Sequence, residues 1–122
     1  MSSLDAQPIF ALLSRALDAA SLKQAVHSAN IANANVDGYS RLEVSFDSQL
    51  QSASQLLQGG SMEDEPLELP EPQVVPAADS EVRLDREMVL MAKDALRYEA
   101  LLGAVSRTAG MLELAIKEGH EG

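Results

Sequence analysis

Residues 84–116 read LDREMVLMAKDALRYEALLGAVSRTAGMLELAI. Within this stretch Leu84, Met88, Met91, Ala95, Tyr98, Leu102, Val105, Ala109, Leu112 and Ile116 alternate steps of four and three without a miss. A spacing that averages 3.5 keeps one stripe of a helix against a partner helix over its whole length. At about 1.5 Å per residue the stripe is roughly 50 Å long, longer than the core of a single domain of 122 residues. Gly103 and Gly110 lie inside the run, and each costs about 1 kcal/mol relative to alanine. The stretch therefore predicts a long helix that needs a partner.

A second helical stretch lies at the other end of the chain. It is expected to begin near Pro8, since proline suits a first helical turn where its missing N–H is not needed. Ile9, Leu12, Leu13, Ala16, Leu17 and Ala20 project to one face, and Leu22, Ala25, Val26, Ala29 and Ala32 to a displaced second face. Two displaced stripes expect different neighbours along one helix. The stretch ends in Asn30-Ile31-Ala32-Asn33-Ala34-Asn35-Val36-Asp37-Gly38-Tyr39-Ser40-Arg41. Asparagine is a mediocre helix former because its amide competes for backbone hydrogen bonds. Asn30 and Asn33 nevertheless share a face, which expects them to make contacts and to set register between neighbouring helices. Asp37-Gly38 is a strong turn former and is expected to stop the helix.

Residues 42–80 change character. They hold eight acids (Glu43, Asp47, Glu63, Asp64, Glu65, Glu68, Glu71 and Asp79) and no lysine or arginine, together with Pro66, Pro70, Pro72 and Pro76 after Gly59-Gly60. Prolines at that density exclude a helix and favour extended chain, and uncompensated charge disfavours collapse. The segment is expected to be an exposed loop with one short extended piece around Val74-Val75. Three parts follow: an N-terminal helix with its asparagine-rich turn (1–41), an acidic loop (42–80) and a C-terminal heptad helix (81–122). Together they make one all-α domain, two long helices pairing as an antiparallel coiled-coil hairpin.

The asparagine segment resembles the N-terminal signature of the flagellar axial proteins, the rod and hook family of bacterial basal bodies. That pattern runs Asn-Ile-Ala-Asn, then Thr-Pro-Gly-Tyr. Asn30, Ile31, Ala32, Asn33, Gly38 and Tyr39 match it, with Arg41 where the family often has a basic residue. Val36 and Asp37 stand where the pattern has Thr and Pro; Asp-Gly and Pro-Gly both make turns, of different preferred types. The resemblance implies a structural subunit that assembles by packing its terminal helices. Its implied partners are other axial rod proteins, the protein joining the rod to the membrane ring, the MS ring itself and further copies of the chain. It also implies export through the flagellar type III apparatus without a cleaved signal, and a place in the rod within the periplasmic space. Thirty-nine residues between the helices leave no room for the large β domains that the family's hook and distal-rod members carry, which points to the small proximal-rod proteins.

Composition narrows the alternatives. A net charge of -10 with a pI near 4.4 speaks against nucleic acid, whose phosphates demand a basic surface. Without cysteine there is no disulfide or thiolate chemistry. No apolar run approaches the roughly 20 residues of a membrane span, and the N-terminus lacks the basic start and apolar core of a secretory signal. His27 and His120 have no acid and nucleophile nearby in sequence that would suggest a triad, and Glu63-Asp64-Glu65 lacks the ligand alternation of an EF-hand. Neither an enzyme site nor a metal or cofactor site is expected. Two other classes share the composition. A soluble helical adaptor or export chaperone would bind a partner helix along the same seam, and an acyl carrier would bear its prosthetic group on Ser48, in Asp47-Ser48-Gln49-Leu50.

Overall fold

The computed structural model describes residues 7–47 and 69–121. Helix α1 spans Gln7–Ala32, strand β1 Leu42–Val44, strand β2 Val74–Pro76 and helix α2 Leu84–Glu121. With 26 and 38 residues, the helices are about 39 and 57 Å long at 1.5 Å per residue. Pro8 falls in the first turn of α1, as its missing donor requires. Asp85 and Glu87 occupy the first turn of α2, where acids complement the helix dipole. α2 continues through His120, which the sequence placed in a polar tail.

The helices pack antiparallel. Asn30 near the end of α1 meets Glu87 near the start of α2, His27 meets Glu87 and Asp94, and Ala16 and Ala20 share a recess with Leu101. The hairpin expected from the heptad pattern is present, but its seam is turned by one residue. The buried and half-buried positions of α2 include Glu87, Met91, Asp94, Tyr98, Leu101, Val105, Thr108 and Leu112, which also alternate steps of four and three. Met91, Tyr98, Val105 and Leu112 belong to both stripes. Leu84, Met88, Ala95, Leu102, Ala109 and Ile116 instead face outward. The rotation has a chemical cause: the inner positions at 87 and 94 are filled by carboxylates, which an apolar count passes over.

On α1 the buried residues are Ala19, Ala20, Val26, His27 and Asn30, while Ile9, Leu12, Ala25 and Ala32 from the two expected stripes are exposed. Among the described residues the apolar core is Ala19, Ala20, Val26 and Phe46, against five buried polar or charged residues. Burying one large apolar side chain contributes only about 1.5–3 kcal/mol. This hairpin therefore depends on its polar contacts to an unusual degree.

The extended piece expected at Val74-Val75 is β2. It pairs antiparallel with β1, a strand the sequence did not announce, in the register Leu42 with Pro76, Glu43 with Val75 and Val44 with Val74. Ser45 N–H donates to Gln73 O at 2.9 Å and Ala77 N–H to Arg41 O at 3.0 Å, closing the ribbon at both ends. Among the described residues the ribbon has two strands, so Pro76 sits on an edge strand, where proline is tolerated. The acidic run Glu63-Asp64-Glu65 and Ser48 lie outside the described residues.

Candidate functional site

α1 ends at Ala32, five residues before the Asp37 expected to stop it. Asn33 is the terminator: its backbone N–H donates to Ala29 O at 3.0 Å, and its side-chain Nδ2 donates to the same oxygen at 2.8 Å. The chain then turns twice, with Val36 N–H on Asn33 O and Tyr39 N–H on Val36 O. Gly38 takes a φ of +81° as third residue of that last turn, the combination of a type II turn, in which glycine favours that position. Asp37 in place of proline thus leaves the turn intact.

The turn delivers Tyr39 and Leu42 onto Asn30, which is 0 % exposed. Asn30 Oδ1 accepts from Tyr39 Oη at 2.7 Å and from Leu42 N at 3.0 Å. Its Nδ2 donates to Leu42 O at 2.9 Å and to Glu87 Oε2 at 3.3 Å. All four hydrogen-bonding positions of the amide are used inside the chain. Its one contact with a neighbouring helix is the bond to Glu87 of α2. Asn33 folds back on its own helix. The rest of the motif is more open: Ile31 and Tyr39 are half-buried, Ala32 and Gly38 exposed.

Glu87 joins the two helices. It is 1 % exposed, accepts from Arg41 Nε on Oε1, and on Oε2 takes His27 Nδ1 at 2.6 Å in addition to Asn30. Burial alone would raise its pKa, but hydrogen bonds from Arg41, His27 and Asn30, with the Arg41 charge, prevail and hold the carboxyl below its usual value. The other ring nitrogen of His27, Nε2, lies 3.0 Å from Asp94 Oδ2. The two ring nitrogens thus lie between the carboxylates of Glu87 and Asp94, with the Arg41 guanidinium on the far oxygen of Glu87. No buried side-chain nitrogen or oxygen among the described residues lacks a partner. Sequence reasoning missed this cluster, because the acids that flank His27 come from a helix 60 residues away. Chemically the arrangement is a clasp, its buried donors and acceptors engaged with one another.

Residues 12–39 match the family described as flagella basal body rod protein. The match ends on Tyr39, so it takes in the whole Asn30–Tyr39 motif and the helix that leads to it, but neither Arg41 nor α2. It supports a structural role in the flagellar basal-body rod and a location in the basal body; the family is structural and not one of enzymes. No curated protein matches the chain. No described helix is long and apolar enough to cross a membrane.

Proposed function

We propose that this chain is a subunit of the proximal rod, of the rod protein B type, with rod protein C the nearest alternative. It would be exported by the flagellar type III apparatus and packed with rod proteins C, F and G, the junction protein, the MS ring and its own copies to transmit torque. The observation that carries this reading is the family match over residues 12–39. The division of labour on α2 supports it. Inner positions close the hairpin, while Leu84 (43 % exposed), Met88 (56 %), Leu102 (44 %) and Ile116 (50 %) leave an apolar stripe outside, as assembly through helix packing requires. The motif then acts on assembly indirectly. Asn30, Gly38, Tyr39 and Arg41 fix the end of α1 against α2, and so fix how the outer stripe is presented.

Adjacent leucines test this. Leu101, half-buried, lies in the recess with Ala16, Ala20 and Phe46, so Leu101→Asp removes apolar contact between the helices and should destabilise the hairpin by about 1.5–3 kcal/mol. Leu102→Asp should leave helicity and export unchanged but abolish rod assembly and swimming. Normal swimming with Leu102→Asp would overturn assembly through the outer stripe.

A further inference from the structure

An open cleft of about 410 Å³ lies beside the clasp, where α2 faces β1. Its size falls within the roughly 300–1,000 Å³ of small-molecule sites. Lys23, Arg41, Arg86, Lys93 and Arg97 line it, five of the nine lysines and arginines of a chain with a net charge of -10. Lys23 and Arg97 are engaged, 2.7 and 3.7 Å from Asp47. Arg86 and Lys93 are exposed, and their side chains form no ion pair or hydrogen bond among the described residues.

Arg41 is the fixed part of the lining. It is 9 % exposed, and its Nε donates to the buried Glu87. Nη1 and Nη2 have no acceptor among the described residues. Every buried side-chain nitrogen there has a partner, so these two nitrogens are accessible atoms of an otherwise buried side chain that lines the cleft. A guanidinium anchored at one nitrogen thus keeps its other two for an oxyanion, whose oxygens a planar fork of N–H donors matches in pairs.

We infer that this cleft binds a small dianionic oxyanion of the phosphate class, with Arg41 Nη1 and Nη2, Arg86 and Lys93 as its donors. Charge and donor number select that class. Arg41 is offset by Glu87, whereas Arg86 and Lys93 supply two positive charges without a carboxylate partner. A phosphate monoester carries about -1.5 to -2 charge near neutral pH and three acceptor oxygens, one for each of the three cationic groups. A carboxylate has two oxygens and a single charge. Arg86 and Lys93 are seven residues and about 10.5 Å apart along α2, so each has to reach about half that distance over Leu90, which lines the cleft between them. Glu43, also in the lining and exposed, opposes any anion. The ligand is small and free, because a chain of -10 is repelled as a whole by an anionic surface or polymer. The inference concerns the free chain and does not depend on the proposed place in the rod.

The test titrates the ¹⁵N-labelled full-length chain with methyl phosphate at constant ionic strength and follows the Arg41 Nε–H and backbone amide signals by NMR. The expected result is a saturable shift at Arg41, half complete at a concentration about tenfold below that needed with the monoanion acetate. Arg86→Gln and Lys93→Gln, with helix content preserved, should each weaken binding about fivefold, and Glu43→Gln should tighten it. Vesicles bearing phosphatidate should not sediment the chain at roughly 0.15 M salt. Shifts that never saturate, that are equal for methyl phosphate and acetate, or that persist unchanged in both Arg86→Gln and Lys93→Gln would overturn the site. Sedimentation with the vesicles would overturn the free ligand in favour of a lipid headgroup.

Discussion

Glu87→Gln keeps the shape of the side chain and removes its charge. Oε1 faces Arg41 and Oε2 faces His27 and Asn30, so whichever way the new amide is turned, its NH₂ points at a donor. Arg41, itself 9 % exposed, is left without its carboxylate, and breaking a buried pair from one side costs about 3–5 kcal/mol. Small domains are stable by only about 5–15 kcal/mol. With two alanines, one valine and one phenylalanine in the described core, this one belongs at the low end. At roughly 4 °C per kcal/mol for a chain of this size, the melting temperature should fall by about 12–20 °C, or the cooperative transition should vanish. Circular dichroism at 222 nm through a urea and a thermal series measures it, with the exposed Glu99→Gln as control. Equal midpoints for the two variants would refute the clasp as the joint between the helices.

Asn30→Ala should destabilise by about 2–4 kcal/mol, because both backbone groups of Leu42 and the Tyr39 hydroxyl lose a partner, while Asn33→Ala should cost about 1 kcal/mol or less; urea midpoints of the two single variants check the order. The lowered pKa of Glu87 means that the unfolded chain takes up its proton more readily than the folded one, so this contribution is present above the usual value of 4.5 and is lost as pH falls through the lower folded value; the urea midpoint should drop over that acid range, and drop less in Glu87→Gln. Gly38→Ala places a Cβ in open space but at a φ of +81°, so it should cost about 1–2 kcal/mol through the backbone alone, with hydrogen exchange rising first at Tyr39, Arg41 and Leu42.

The two helices and the extended piece at Val74-Val75 were legible because apolar period and proline mark them directly. The exact inner face of α2 was not. Glu87 and Asp94 occupy equivalent heptad positions, and their partners on α1 and at Arg41 make burial tolerable, a condition that cannot be judged one helix at a time. β1 was equally hidden, since Leu42–Val44 is three residues long and is defined by its pairing with Val74–Pro76. The asparagines drew attention for a sound reason, their poor fit to a helix, but their partners were closer than expected. A signal for the clasp was present in Asn30 and His27, polar residues three apart on a helix, facing two acids seven apart on the other.

The most direct test of the structural role is the composition of purified rods. Basal bodies stripped of hook, filament and membrane should contain this chain in fixed ratio to the other rod proteins, and deletion of its gene should leave basal bodies without a rod. Intact rods in the deletion strain, with the chain recovered only from the soluble fraction in the wild type, would contradict the account.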